Sequence, residues 1–226
     1  MRIAEPMTVL TDVLLGLVAL TLGVRLWRAA RSQDRRGGSP GADPMWDHPL
    51  PLWAAGFLAS AAAALLGAAA HGAGDFHVTL HDLTWPASLV AVAAAGGLLT
   101  AAIVVATLPQ PWQRPVLGLL ALKATAVTLL VLRQPEFRTV ALDYGASLVF
   151  VLGLVVVSGR GGARPEGRWI VAGVLAAFGA VAVQRAGPDL HPYFNHNDLY
   201  HLIQAGAFYL LYRGGLLLEP RPVLKD

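Results

Sequence analysis

The fold class of this chain is decided by WPASLVAVAAAGGLLTAAIVVATL, residues 85–108. This stretch carries no charge, and its length suits an α-helix that crosses a bilayer, which needs roughly 20 apolar residues. Six further apolar blocks occur, and charges, prolines or glycines separate them. The chain is therefore predicted to be an all-α, polytopic membrane protein whose single domain, residues 1–226, is a seven-transmembrane-helix bundle. The predicted helices span about 7–27, 50–72, 85–108, 115–132, 139–158, 169–185 and 198–217.

Composition supports this fold class and excludes others. Hydrophobic residues make up 55% of the chain and charged residues only 14%, which is too apolar for the surface of a soluble domain of this length. The apolar blocks lack the alternation of a membrane β-barrel. The chain has no cysteine, which excludes disulfides and cysteine metal sites. Its basic excess is interpreted as a signal of loop orientation and not of nucleic-acid binding.

The distribution of basic residues predicts the orientation. Twelve Lys and Arg residues fall in gaps on one side of the seven helices or in the C-terminal tail, and four fall on the other side. Because cytoplasmic loops are enriched in Lys and Arg, the N-terminus is expected outside and the C-terminus in the cytoplasm. Segment 28–49, rich in Arg, Gly, Pro and Ser, is predicted to be a flexible cytoplasmic loop. A multi-pass protein of a bacterial-type plasma membrane is expected.

The histidines are concentrated at one predicted face of the membrane. Six of the seven lie at the outer ends of helices or in the outer loops, in company with four aspartates: His71, His77, His81, His191, His196 and His201, with Asp75, Asp82, Asp189 and Asp198. Imidazole and carboxylate are the usual ligands of zinc and similar ions, so a metal site is predicted. The alternatives are solvated interfacial histidines, or a proton or ligand site without a metal.

The second histidine cluster is HPYFNHNDLYHLIQ, residues 191–204. Asp198 and His201 are three residues apart and share a helix face. His196 and His201 are five apart, about 140° around an ideal helix. These two imidazoles can converge only if His196 lies in the loop or at the helix cap. In either case Asn197 or Asp198 is a suitable N-cap residue for the seventh helix.

NDLYHLIQAGAFYLLY, residues 197–212, resembles the seventh-helix motif of a membrane superfamily. That superfamily includes alkaline ceramidases, adiponectin and progestin receptors, and GPI-anchor-remodelling hydrolases. The resemblance implies seven helices and a zinc ion held by three histidines. One histidine ends helix two, and two form a His-x-x-x-His pattern that opens helix seven. A serine four residues before the first histidine and an aspartate eleven after it complete the site.

The resemblance is carried over residue by residue. His201 takes the place of the second helix-seven histidine, whereas the first place is occupied by Asn197, with His196 directly beside it. His71 ends the second helix, and Asp82 follows eleven residues later. Gly67 occupies the serine position. In an alternative alignment, His77 is the first histidine, because FHVTL at 76–80 resembles the ceramidase sequence around that histidine.

The resemblance implies a zinc-dependent hydrolase that acts on a lipid amide or ester. His71, His196 and His201 would be the ligands, with His77 as second choice for the first of them. Zinc would lower the pKa of a bound water towards neutrality, Asp82 would act as general base, and Asp198 would orient an imidazole. Membrane lipids are the expected partners, and nucleic acid is not.

Lys123 is a charged residue near the middle of the fourth predicted helix. A charge at that depth is costly and usually faces a polar interior, and Asp143 in the fifth helix is its candidate partner. The pair is interpreted as a structural ion pair or as part of an ion or proton pathway. Two alternatives to a hydrolase therefore stay open: a non-enzymatic sensor, receptor or structural protein, and a small proton-coupled transporter.

Overall fold

A computed structural model describes residues 5–37, 48–73, 77–187, 190–191 and 194–219, and for residues 34–37 it describes the backbone alone. These residues form seven long helices and one single-turn helix, Arg160–Ala163. The long helices are α1 (Pro6–Gly37), α2 (Pro49–Ala73), α3 (Val78–Thr107), α4 (Gln110–Arg133), α5 (Phe137–Val157), α6 (Pro165–Ala186) and α7 (His196–Gly215).

Six of these helices, α1 to α6, are long and apolar enough to cross a membrane, counted over the described residues. The prediction of an all-helical, multi-pass membrane bundle is confirmed at this level. Helix α7 is equally part of the bundle and has 20 residues. Its first two turns contain His196, Asp198 and His201, which lower its hydropathy and set it apart from the other six.

The two largest differences from the predicted helix ends are in α1 and α3. Helix α1 continues to Gly37, ten residues beyond the predicted end, because residues 28–36 contain neither glycine nor proline to stop it. The first part of the predicted loop 28–49 is therefore helical, and residues 38–47 of that loop lie outside the described residues. Helix α3 begins at Val78 and not at 85, with Pro86 inside the helix.

Six helices form a closed ring, and the seventh lies outside it. Each ring helix contacts the next in the order α1, α2, α3, α5, α6, α7, and α7 returns to α1. Helix α4 packs on the outside of the ring against α3 and α5, and Val131 is its only fully buried residue. The ring therefore encloses a lumen to which α4 has no access.

Glycines allow the ring helices to approach closely, since small residues at an interface bring helix backbones together in lipid. A Cβ at Gly214 of α7 would lie 2.6 Å from Ile170 Cγ1 and 3.1 Å from the carbonyl oxygen of Glu166, both in α6. A Cβ at Gly173 of α6 would lie 2.7 Å from Leu211. Helices α6 and α7 therefore pack backbone to backbone at these points.

One end of the lumen is filled by aromatic side chains. Trp53 and Phe57 of α2 are fully buried, and the rings of Phe57 and Phe208 lie with their centroids 5.3 Å apart. The indole nitrogen of Trp53 donates to the carbonyl oxygen of Leu211 at 3.2 Å. These side chains fill the lumen at this end of the bundle. The cavity described below lies towards the opposite end, where His71 and His201 are located.

The candidate partner of Lys123 is confirmed. Lys123 Nζ lies 2.7 Å from Asp143 Oδ1 and donates to Ser147 Oγ at 2.9 Å. Lys123 belongs to α4 and the other two residues to α5, so the pair fastens the outer helix to the ring. A salt bridge of this kind satisfies a charge that is costly inside a membrane.

Alanine at Gly214 is expected to lower the free energy of unfolding by about 1–3 kcal/mol, because the added methyl group overpacks the α6–α7 contact. Gly206→Ala in the same helix is the control, since a Cβ there meets nothing within 4 Å. The measurement is thermal unfolding of both variants in detergent. Equal melting temperatures would contradict the close approach.

Candidate functional site

The lumen contains a cavity of about 460 Å³ that all six ring helices line. Most of its wall is apolar or aromatic, as in Leu15, Leu89 and Phe178. Polar side chains gather towards the histidine-rich end, and the principal ones are Asp12, His71, Tyr200, His201 and Gln204. The cavity is thus amphiphilic, with a small number of placed polar groups in an apolar surround, which is typical of ligand sites.

His201 of α7 is held from both sides by α1. Its side chain is largely buried, the residue being 9% exposed. Nδ1 lies 3.0 Å from Thr11 Oγ1, and Nε2 lies 3.3 Å from Asp12 Oδ1. Two consecutive residues of one helix thus contact the two ring nitrogens, which fixes the plane of the imidazole.

Asp198 is fully buried one helical turn before His201. Its Oδ2 accepts from the backbone nitrogen of Asn195 at 2.8 Å, while the Asn195 side chain accepts from the backbone nitrogens of Asn197 and Asp198. This reciprocal capping box begins α7. The Oδ1 of Asp198 accepts from Thr11 Oγ1 at 3.2 Å, so both of its oxygens are engaged.

These contacts favour one tautomer of His201. The hydroxyl of Thr11 has one hydrogen and neighbours three acceptors: Asp198 Oδ1, His201 Nδ1 and the Thr8 carbonyl oxygen. A buried carboxylate is the strongest of these, because hydrogen bonds to ionised groups are about twice as strong as neutral ones. If the hydroxyl donates to Asp198, Nδ1–H of His201 donates to the hydroxyl oxygen, and this is the tautomer that we expect. In that tautomer the lone pair of Nε2 faces the carboxyl group of Asp12.

His71, at the end of α2, is oriented in the same way. Its Nδ1 lies 3.3 Å from Glu5 Oε2, and its ring packs edge-on against Trp85 with centroids 6.1 Å apart. The side chain lines the cavity that His201 also lines. A carboxylate that accepts from Nδ1–H leaves Nε2 as the ligating nitrogen, which is the usual arrangement of metal-binding histidines.

Gly67, which stands at the serine position of the resemblance, faces Asp12. A Cβ at residue 67 would lie 3.5 Å from Asp12 Oδ2. The space that a serine side chain would enter is therefore bordered by a carboxylate from α1. A polar group is present at this place in the cavity, although it comes from a different helix.

Several predicted site residues do not line the cavity. Asp82, the predicted general base, has a side chain 69% exposed and lies 3.6 Å from His81 Nδ1. His77 is exposed and occupies the N-cap position of α3 without a capping hydrogen bond. Asp75 and Asp189, grouped with the histidines by the sequence, lie outside the described residues.

The predicted pair of histidines at the start of α7 is separated. His196 is the first residue of the helix and does not line the cavity, whereas His201 does. The position between them, Asn197, lines the cavity and accepts a hydrogen bond from Gln184 Nε2 of α6 at 3.1 Å. In the resemblance, the position of Asn197 belongs to the first histidine of the seventh helix. Here its side-chain amide forms a hydrogen bond with the Gln184 amide, which joins α7 to α6.

The contribution of α1 was missed by sequence reasoning. Thr8, Thr11 and Asp12 are buried, and Glu5 reaches His71. Their signal was present: TVLTD, residues 8–12, places an acid and two hydroxyls at the start of a helix that is otherwise apolar up to Arg25. An ionisable residue within such a helix is by default a candidate for a functional site.

No three histidine, aspartate or glutamate side chains stand together as a ready metal centre within the parts of the chain that the structure describes. What the structure brings together is a pair, His201 and Asp12, with His71 on the wall of the same cavity.

Comparison with known proteins identifies the family. The model of a family of unknown function, DUF6962, matches residues 7–220, which is nearly the whole chain. The chain belongs to the DUF6962 family. No curated protein and no solved structure matches it. Because the matched segment includes α1 to α7, both α1 and α7 of the site belong to the DUF6962 region.

Thr11→Val is expected to destabilise the protein by about 1–3 kcal/mol, because Asp198 Oδ1 loses its donor and remains buried. Thr11→Ser keeps the hydroxyl and is expected to retain most of the stability. Chemical or thermal unfolding of the two variants in detergent measures the difference. A Thr11→Val protein as stable as the wild type would show that the hydrogen bond from Thr11 to Asp198 does not contribute to stability.

Proposed function

We propose that this DUF6962 protein is a metal-dependent membrane hydrolase whose substrate is a lipid amide or ester. The observation that carries the proposal is the cavity, in which two oriented imidazoles and a buried carboxylate meet an apolar lumen. We also propose that α7 crosses the membrane as a seventh span, since it packs along α6 and closes the ring. The N-terminus would then lie outside and the C-terminus in the cytoplasm of a bacterial-type plasma membrane.

The donor groups of the cavity are of the types that zinc takes, imidazole nitrogen and carboxylate oxygen. His71 and His201 would hold the ion through Nε2, since each Nδ1 is engaged by Glu5 and by Thr11. A bound zinc ion would supply a water of lowered pKa as nucleophile. His196 and His77, which do not line the cavity, are not retained among the proposed ligands, and neither is Asp82 as the base.

The shape of the cavity supports a lipid substrate. Several residues that line it are also exposed on the side of the bundle: Phe137 and Leu142 of α5, and Val181 of α6. Helices α5 and α6 make the sparsest contact in the ring. An acyl chain would enter between these two helices from the bilayer and lie along Leu89, Leu148 and Phe178.

The polar end of the cavity would then receive the scissile amide or ester. Tyr200 lies beside His201, with ring centroids 5.2 Å apart, and lines the same space. Its hydroxyl would donate to the oxyanion that develops on the substrate carbonyl, a role that a placed tyrosine can fill. Gln204, one turn further along α7, would bind the amide or ester group.

The lysine pathway is not included in this proposal. Lys123 lies on α4, outside the ring, and neither it nor Asp143 lines the cavity. An ion pair at 2.7 Å supports the structural interpretation of these two residues. A transport route through them would have to bypass the lumen.

Purified protein in detergent is expected to hydrolyse long-chain lipid amides or esters and to lose that activity on chelation, with recovery when zinc is returned. His201→Ala and His71→Ala are expected to reduce turnover to the rate without enzyme. His81→Ala is the matched control, because His81 is only half-buried and does not line the cavity. Full turnover by the His201→Ala protein would overturn the proposal.

A further inference from the structure

We infer that Arg185 of α6 binds an anionic group, a phosphate or a carboxylate, on the lipid that enters the cavity, so that the substrate is an acidic amphiphile. The inference deepens the proposed function and rests on it for the reaction, but the binding that it describes can be measured without turnover. Arg185 belongs neither to the site predicted from the sequence nor to the hydrolytic groups proposed above.

Arg185 is a half-buried cation on the wall of the cavity. A guanidinium group does not lose its proton in a protein, so it cannot avoid the cost of partial burial by becoming neutral. No acidic side chain that the structure describes forms an ion pair with it. Asp12, which lines the same cavity, contacts His201 instead. An anionic ligand would supply the counterion that the described residues do not provide.

The face of α6 that lines the cavity has the pattern of an amphiphile. Phe178, Val181 and Arg185 are separated by three and four residues, so they share one face of the helix, and all three line the cavity. Arg185 follows Phe178 by about 10 Å along the helix axis. An acyl chain packed on Phe178 and Val181 would therefore bring its polar end to the guanidinium group.

The end of α6 that holds Arg185 borders the opening between α5 and α6. Arg185 is in the last turn of α6, and Phe137 is the first residue of the antiparallel helix α5, so the two lie at the same end of the bundle. Phe137 and Leu142 line the cavity and are also exposed on the outside of the bundle. A Cβ at Gly145 of α5 would meet nothing within 4 Å. A lipid that enters between these helices would meet Arg185 at the entrance.

The groups around Arg185 suit an anion. The planar fork of a guanidinium group matches the oxygens of a phosphate or a carboxylate, to which it can donate two parallel hydrogen bonds. The amides of Gln184 and Asn197 line the same cavity, and one hydrogen of Gln184 Nε2 is used in the bond that joins them. The other amide hydrogens are donors that an anion can use.

Two matched pairs of lipid probes test the inference. Oleoyl lysophosphatidic acid differs from monooleoylglycerol by a phosphate, and N-oleoylglycine differs from N-oleoylethanolamine by a carboxylate. Binding of the labelled probes is measured on purified full-length protein in a non-ionic detergent. The wild type is expected to bind the acidic member of at least one pair about 10-fold or more tightly, as hydrogen bonds to charged groups allow. Arg185→Gln is expected to lose this preference, and Arg185→Lys to keep part of it.

Arg133→Gln is the matched control. Arg133 is in the last turn of α4, is exposed and does not line the cavity. Its removal takes the same charge from the same end of the bundle, and a cation in the last turn of a helix interacts favourably with the helix dipole in both cases. The control is expected to keep the wild-type preference. Size-exclusion chromatography shows which variants are folded, and the comparison within each pair on the wild type needs no variant.

The outcomes separate this inference from the proposed function. Equal affinity within both pairs, or a preference that Arg133→Gln loses to the same extent as Arg185→Gln, overturns the inference, and hydrolysis of a probe then leaves the hydrolase standing. Displacement of the acidic probe by an equal concentration of inorganic phosphate or acetate would show a site for free anions and would also overturn it. A preference lost only in Arg185→Gln, in a protein that hydrolyses no lipid ester or amide, supports the anion site and overturns the hydrolase.

Discussion

The contact between α1 and the imidazole of His201 is the interaction on which the rest of the structure depends. It joins the first and last helices of the helix ring. Thr11 and Asp12, which are consecutive in α1, contact the two imidazole nitrogens of His201. Without it, α1 and α7 would lose the polar contact of His201 with Thr11 and Asp12 at the end of the bundle where His71 and His201 lie. The same contact orients the imidazole of His201, so one interaction both closes the ring and positions a side chain of the candidate site.

Burial strengthens this contact. Asp198 is fully buried, and a buried carboxylate must have its oxygens engaged because an unpaired buried charge is costly. Asn195 satisfies one oxygen through the capping box, and Thr11 satisfies the other. The start of α7 is therefore fixed both along the chain and against α1. The polar groups of the cavity next to this helix start are therefore held in fixed positions.

The sequence predicted the helices well because apolar blocks of membrane length are a strong signal. It also placed His71 and His201 among the site residues, and both line the cavity. It did not predict that α4 lies outside the ring, because α3, α4 and α5 have similar hydropathy and only packing separates them. Nor did it weigh Thr11 and Asp12, which are about 190 residues from His201 along the chain.

The structure separates residues that the spacing arguments paired, and in both cases the position of a helix start explains the separation. Asp82 was paired with His71 on a separation of eleven residues, but α3 begins at Val78 and leaves Asp82 exposed near its start. His196 was paired with His201 on the condition that it lay in the loop or at the helix cap. The cap is Asn195, so His196 is already the first helical residue. A shift of one residue at a helix start thus changes which side chains meet.

Nitrogen-15 magnetic resonance of histidine-labelled protein in micelles tests the central claim most directly. The two ring nitrogens of His201, identified by their loss in a His201→Gln variant, differ in chemical shift according to which one carries hydrogen. The contacts with Thr11 and Asp198 predict a protonated Nδ1 and an unprotonated Nε2 at neutral pH. A protonated Nε2 would show that His201 simply donates to Asp12, and the account of this corner as a cation site would be contradicted.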